Sequence, residues 1–263
     1  MPKILLFCPL NPDTNHKGKR TPQLFGRTNM SIFNQDYPQL DIWFSKGDNP
    51  IFDSNGRGNI CHNYNKARKW VLDNEYDYLF TVEADMVVPP DALTKLLEVD
   101  ADVAYALYCF KSTSTWSAWT ELSMEHGRSL RKDPQLARDY WGKVMPVAGV
   151  GLGCTLIKRE VLEVLPFRTD DLHPSVHNDW CFAVDCQEKG FKQMCHMGVV
   201  CGHISLEPSP RVIWPDPNEP RMYRNDFLDG IPVNEKGEIE IEITKMGEFT
   251  IKKSDLRLVP TGG

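Results

Sequence analysis

At 263 residues the chain has room for one large α/β domain or two small ones. With 41% hydrophobic and 25% charged residues it reads as a soluble globular protein with the apolar mass for a real core. A formal net charge of −6 gives no general attraction to phosphate backbones, so nucleic acid is not the default partner.

The opening MPKILLFCPLNP is too short for a membrane span or leader and reads as a buried first strand. Residues 4–7 form its continuous apolar run, closed by Pro9 and Pro12, as in a central parallel strand reaching its loop. Thr21-Pro22 supplies an N-cap and a proline at the first helical position. Residues 40–45 read as the second strand, with Lys46-Gly47-Asp48-Asn49-Pro50 as its loop. Between 59 and 72, Ile60, Tyr64, Ala67 and Val71 recur at helical spacing. Residues 78–82 form the next strand. Pro89-Pro90-Asp91 opens a helix with Leu93, Leu96 and Leu97 as its apolar stripe, and 102–108 return as a strand. This alternation predicts an α/β fold, a mostly parallel sheet with helices on both faces, whose ligands bind at the carboxyl ends of the strands.

The pattern breaks over 111–147, where Trp116, Trp119 and Trp141 lie among polar residues without a clean period. This segment reads as an insertion packed over the site. Order resumes with a strand at 154–157, a short helix at 159–165, a helix at 179–189 ended by Gly190, and a short final strand at 199–201. Beyond Ser205 the composition changes: five prolines lie between 208 and 220, and the alternating stretches GEIEIEI and EFTIKK predict a small β-hairpin. The expected division is a domain over 1–205 and a C-terminal β extension over 206–263. Eight cysteines without a CxxC pair read as reduced and buried, which favours a cytoplasmic location.

The sharpest chemical feature is YDYLFTVEADMVVPPDALTKLLE. A buried strand ends in Glu83-Ala84-Asp85, and side chains two apart on a strand point the same way. Paired hard oxygen ligands at a ligand-binding edge suit Mg²⁺ or Mn²⁺, which bridge carboxylates and substrate phosphates. The plainer reading is an acidic turn cap. A competing cluster is CHMGVVCGH, with Cys195, His196, Cys201 and His203 at a density that can bind zinc. Alternation along short strands would point some of these into the core, against a zinc site.

The acidic segment resembles the DxD region of GT-A fold glycosyltransferases of the family 2 type, with Glu-Ala-Asp in place of Asp-x-Asp. ICHNYNKARKWVL lies where that family has an Ala-Arg-Asn-rich helix. VAGVGLGCTLIKREVLEVL resembles its glycine-rich strand and helix beside the acceptor. HNDWCFAVDCQEKGFK resembles its Glu-Asp-x-x-Phe helix, with Asp179 and Phe182 matching and Asn178 replacing the glutamate. VVCGHI resembles the strand end that gives a histidine to the metal.

The resemblance implies transfer of a sugar from a nucleoside-diphosphate sugar to a hydroxyl, on Mn²⁺ or Mg²⁺. Asp85 and His203 would be metal ligands, and Glu83 either a third ligand or a ribose contact. The imidazole tilts the choice toward manganese. Asp179 would be the base that takes the acceptor's proton or, if configuration is retained, would position the acceptor. The expected donor contacts are Pro9, Asn11, Ser45, Asp48, Arg57, Asn65 and Ala84, and the expected acceptor contacts are Gly151, Gly153 and Trp180. Gly149, Gly151 and Gly153 serve equally for close approach to a ligand or for tight packing. A hydroxylated base is among the open acceptor classes, and a monomer or homodimer is expected. The rivals are a sugar nucleotidyltransferase, which would release pyrophosphate, and a nucleotide-sugar-binding protein with a decayed site.

Overall fold

The computed structural model describes residues 1–10, 26–46, 57–111, 113–170, 172, 177–205, 210–219, 221–227 and 249–252. The core strands are β1 (Ile4–Leu10), β2 (Leu40–Lys46), β3 (Tyr78–Val82), β5 (Val103–Leu107), β9 (Cys154–Lys158) and β10 (Gln193–Val200). Two short strands, β8 (Val144–Pro146) and β14 (Phe249–Lys252), complete the edges of an eight-stranded sheet. Its order is β14-β2-β1-β3-β9-β5-β10-β8. β1 pairs parallel with β2 and β3, and β10 parallel with β5, while β9, β8 and β14 run against their neighbours. This is a mixed α/β sheet in which five strands run one way and three the other. Ile4, Leu5, Leu6 and Phe7 have no exposed surface, which is why the first strand reads as an unbroken apolar run.

Helices cover both faces. α2 (Arg57–Asp73) packs on β1 and β3 and touches α5 (Arg159–Val164) and α6 (Asn178–Glu188). On β10, Gln193 donates to the Ala183 carbonyl of α6, whereas His196 feels the charges of Lys95, Glu98 and Asp91 around α3 (Ala92–Leu97). Odd and even positions of one strand face opposite ways, so α6 and α3 lie on opposite sides of the sheet. The last carbonyls of α2, at Val71 and Leu72, receive the Arg159 guanidinium, which satisfies helix-end acceptors.

One expectation changes. β10 begins at Gln193, well before the short strand expected at 199–201. Its inward residues Gln193, Cys195, Met197 and Val199 alternate with less buried ones, a half-buried pattern disguised by one polar residue that pairs inside. Within EFTIKK, β14 adds antiparallel to β2 at the edge of the main sheet. GEIEIEI lies outside the described residues.

A second sheet, ordered β13-β12-β11-β4, joins β4 (Met86–Val87), β11 (Gly202–Ser205), β12 (Arg211–Pro215) and β13 (Tyr223–Phe227). The expected boundary therefore falls between two hydrogen-bonded neighbours, β11 and β12.

The insertion contains the hairpin β6 (Trp119–Leu122) and β7 (Gly127–Ser129), the helix α4 (Pro134–Asp139) and finally β8. Fully buried Trp116 donates its indole N–H to the Met222 carbonyl at 2.6 Å, and Arg138 donates to the Pro217 carbonyl. These bonds lock the insertion onto the second sheet. All eight cysteines are buried thiols. No described helix is long and apolar enough to cross a membrane.

Candidate metal centre

The carboxyl ends of the central strands carry the acidic motif. β3 delivers Glu83, whose N–H donates to the Gly153 carbonyl at 3.0 Å, and the chain then turns through Ala84 and Asp85 into β4. β4 pairs antiparallel with β11, with Met86 opposite His203, and the Ile204 N–H donates to the Asp85 carbonyl at 2.8 Å. That short pairing brings His203 to Asp85 across more than a hundred residues. Glu83, Asp85 and His203 each offer one ligand atom within 4.8 Å of the others, and no further group of this kind occurs among the described residues.

His203 is oriented by a backbone group. Its Nδ1 lies 2.7 Å from the Cys109 carbonyl oxygen, which can only accept, so Nδ1 carries the hydrogen and Nε2 turns the other way. Nε2 is buried, has no hydrogen-bond partner, and faces Asp85 Oδ1 at 3.4 Å. Two lone-pair atoms face to face repel unless a cation or a proton lies between them. The donor set, two carboxylates and an imidazole backed by a carbonyl, fits a divalent cation.

The electrostatics point the same way. Burial, together with the Asp85 and Asp179 carboxylates, pushes Glu83 up to about 8. Burial alone would also raise Asp85, but the Lys111 ammonium outweighs it and holds Asp85 well below the usual carboxylate range. Lys111 donates to Asp85 Oδ2. A third carboxylate, Asp179, sits in the first turn of α6, with Oδ1 accepting from the Trp180 N–H at 2.8 Å. Burial raises it against that hydrogen bond.

Tyr108 and Lys111 are the residues that sequence reasoning missed. Tyr108 is buried with its ring edge-on to His203, and its hydroxyl accepts from the Gly153 N–H at 3.3 Å. Both residues lie where the chain leaves β5 and periodicity fails, so no pattern marked them. A tyrosine and a lysine shortly after a strand that ends at the ligand edge were the available signal.

The structure gathers Glu83, Asp85, Asp179 and His203. It also sets Pro9 and Ser45 opposite each other at the ends of β1 and β2. Ala84 is half-buried between the two carboxylates and packs against the core. Arg57 opens α2. Asn11 and Asp48 lie outside the described residues. Asn65 is used otherwise: its amide donates to the Phe167 carbonyl at 2.7 Å and its oxygen accepts the Phe167 N–H at 3.0 Å. It pins α2 to the segment after α5, and the donor contact expected of it finds no support. Trp180 packs on Trp119 at 4.9 Å and donates its indole N–H to the Ser123 carbonyl, so the insertion closes over the start of α6.

The zinc cluster does not assemble. Cys195 and Cys201 are fully buried in the core, and His196 faces α3, as alternation requires.

At Gly151 an added Cβ would meet the Tyr108 hydroxyl at 2.0 Å and Asp179 Oδ2 at 3.0 Å; at Gly153 it would meet the Tyr108 ring at 2.9 Å. The missing Cβ atoms therefore let Tyr108 and Asp179 close in. Gly151→Ala is expected to cost about 1–3 kcal/mol through overpacking, read as a lower urea midpoint at unchanged slope.

No protein-family model matches the chain, and no curated protein sequence matches it. Among solved structures it is similar to A197 from STIV, with TM-score 0.52 and 16% identity over 88% of this chain and 98% of that one. It is also similar to S. aureus TarS residues 1–349 in complex with UDP, with TM-score 0.43 and 10% identity over 79% of this chain and 59% of that one. A third likeness is to a Bacillus anthracis protein described as a glucose-1-phosphate thymidylyltransferase, in complex with sucrose. There the TM-score is 0.45 and the identity 8%, over 76% and 89% of the two chains. At 16% identity the likeness to A197 is one of fold alone.

Proposed function

We propose that this protein is a metal-dependent glycosyltransferase that moves a sugar from a nucleoside-diphosphate sugar to an acceptor hydroxyl. The observation that carries the reading is the buried, unpartnered His203 Nε2 facing Asp85 beside Glu83 at the carboxyl edge of the sheet. Asp85 and His203 hold the cation, with Glu83 as a third ligand or a ribose contact. Manganese suits the imidazole better than magnesium does. When bound, the cation neutralises charge developing on the departing diphosphate.

The chain's own groups do the rest. Pro9, Ser45 and Ala84 border the donor end of the cleft, where the nucleoside belongs. Asp179 takes the proton of the acceptor hydroxyl as the sugar is attacked, and its raised pKa makes it a stronger base than an exposed carboxylate. Trp180 and the backbone at Gly151 and Gly153 border the acceptor side. Tyr108, wedged between the glycines and His203, keeps the base and the metal ligand at fixed separation.

A thermal-shift screen of nucleoside diphosphates and their sugars, with and without Mn²⁺, tests the reading. One nucleotide is expected to raise Tm by several degrees only when Mn²⁺ is present, as mass action requires. Equal shifts with and without metal would count against it. Release of nucleoside diphosphate, and not pyrophosphate, separates it from nucleotidyl transfer.

A further inference from the structure

Lys111 is the one lysine or arginine paired with Glu83, Asp85 or Asp179 among the described residues. Its backbone is held firmly. The Phe110 N–H donates to the Thr115 carbonyl and the Ser114 N–H to the Phe110 carbonyl, both at 2.8 Å, and Cys109 bridges to Trp116. Trp116 is in turn anchored on Met222. The side chain is different: 39% exposed, it reaches Asp85 on a flexible four-carbon stem.

Asp85 divides its two oxygens. Oδ1 faces the unpartnered His203 Nε2, and Oδ2 holds the Lys111 ammonium. A divalent cation bound at Oδ1 and Nε2 would draw charge from the same carboxylate and repel the ammonium a few ångströms away. An ammonium released there, at the open edge of the sheet, has the phosphates of an incoming donor as its natural partner.

We propose that Lys111 is a phosphate-binding residue of this site, kept on Asp85 as a countercharge until metal and diphosphate arrive together. The proposal rests on the metal-site reading above. It predicts effects of opposite sign on two ligands, which loss of structure alone would not produce.

The test uses the full chain with Lys111→Met, Lys111→Gln and Lys111→Arg. Free Mn²⁺ is followed by electron paramagnetic resonance, with and without inorganic pyrophosphate as the probe for the diphosphate. Removing the ammonium is expected to tighten binding of Mn²⁺ alone by about tenfold and to weaken capture of pyrophosphate in the presence of Mn²⁺ by about tenfold. Lys111→Arg should stay near wild type on both. Either Met or Gln suffices if the other fails to fold, as judged by circular dichroism.

Mn²⁺ affinity unchanged or weakened in the neutral variants would overturn the role of Lys111, as would unchanged pyrophosphate affinity. Asp85→Asn separates the two readings. Mn²⁺ binding that depends on Asp85 but ignores Lys111 sinks only the present proposal. Mn²⁺ binding that ignores Asp85 sinks the metal centre itself.

Discussion

Replacing Asp85 with asparagine is expected to lower kcat/KM by roughly 10³-fold and to remove the dependence of turnover on Mn²⁺. The substitution keeps the shape of the side chain and does not touch the main-chain bond from the Ile204 N–H to the Asp85 carbonyl, so the β4–β11 pairing that positions His203 should survive. What disappears is the charge. The carboxylate is held ionised by Lys111 against burial. Its neighbour Glu83 is raised first by burial and then by the nearby carboxylates, so removing the Asp85 charge relieves it only in part. Turnover measured across a Mn²⁺ titration decides the matter. An asparagine variant with wild-type rate and wild-type metal dependence would show that the cation, if any, binds elsewhere.

The second large effect concerns proton transfer. Asp179→Asn should reduce kcat by about 10²–10⁴-fold, the usual range for loss of a positioned general base, with little change in Mn²⁺ or nucleotide affinity. The asparagine oxygen can still accept the Trp180 N–H, so the first turn of α6 need not move. Steady-state kinetics combined with nucleotide binding separates the cases. Weaker nucleotide binding with near-normal kcat would move Asp179 from the reaction to donor binding. A small loss shared between kcat and acceptor KM would make it a positioning group, as a retaining mechanism requires.

Some of this organisation was legible along the chain because it depends on near neighbours. Tyr78 to Val82 form an apolar strand that runs straight into two carboxylates, and the turn after it, not strand alternation, brings Glu83 and Asp85 together. Of the helical stripe, Tyr64, Ala67 and Val71 are buried as its spacing implies, whereas Ile60 at its start is exposed. His203 stood out through the resemblance of VVCGHI to a strand end that gives a histidine to a metal, and spacing alone could not have given its partner. The glycines at 151 and 153 were ambiguous for the same reason: whether a missing Cβ makes room for a ligand or for a tyrosine ring depends on what crosses there.

Sequence alone thus determined the local facts: the α/β alternation, the acidic strand terminus, the position of Asp179 at a helix start, and cysteines without a metal-knuckle spacing. Tertiary structure decided everything that requires two distant segments to meet. It set β4 against β11, so that His203 faces Asp85, and added β14 to the edge of β2. It carried the second sheet past residue 205 and laid Tyr108 and Lys111 against the acidic cluster. Periodicity reports which way a side chain points within its own element. Which group it meets is set by register and packing between elements, and neither is written in the spacing of residues along one strand or helix.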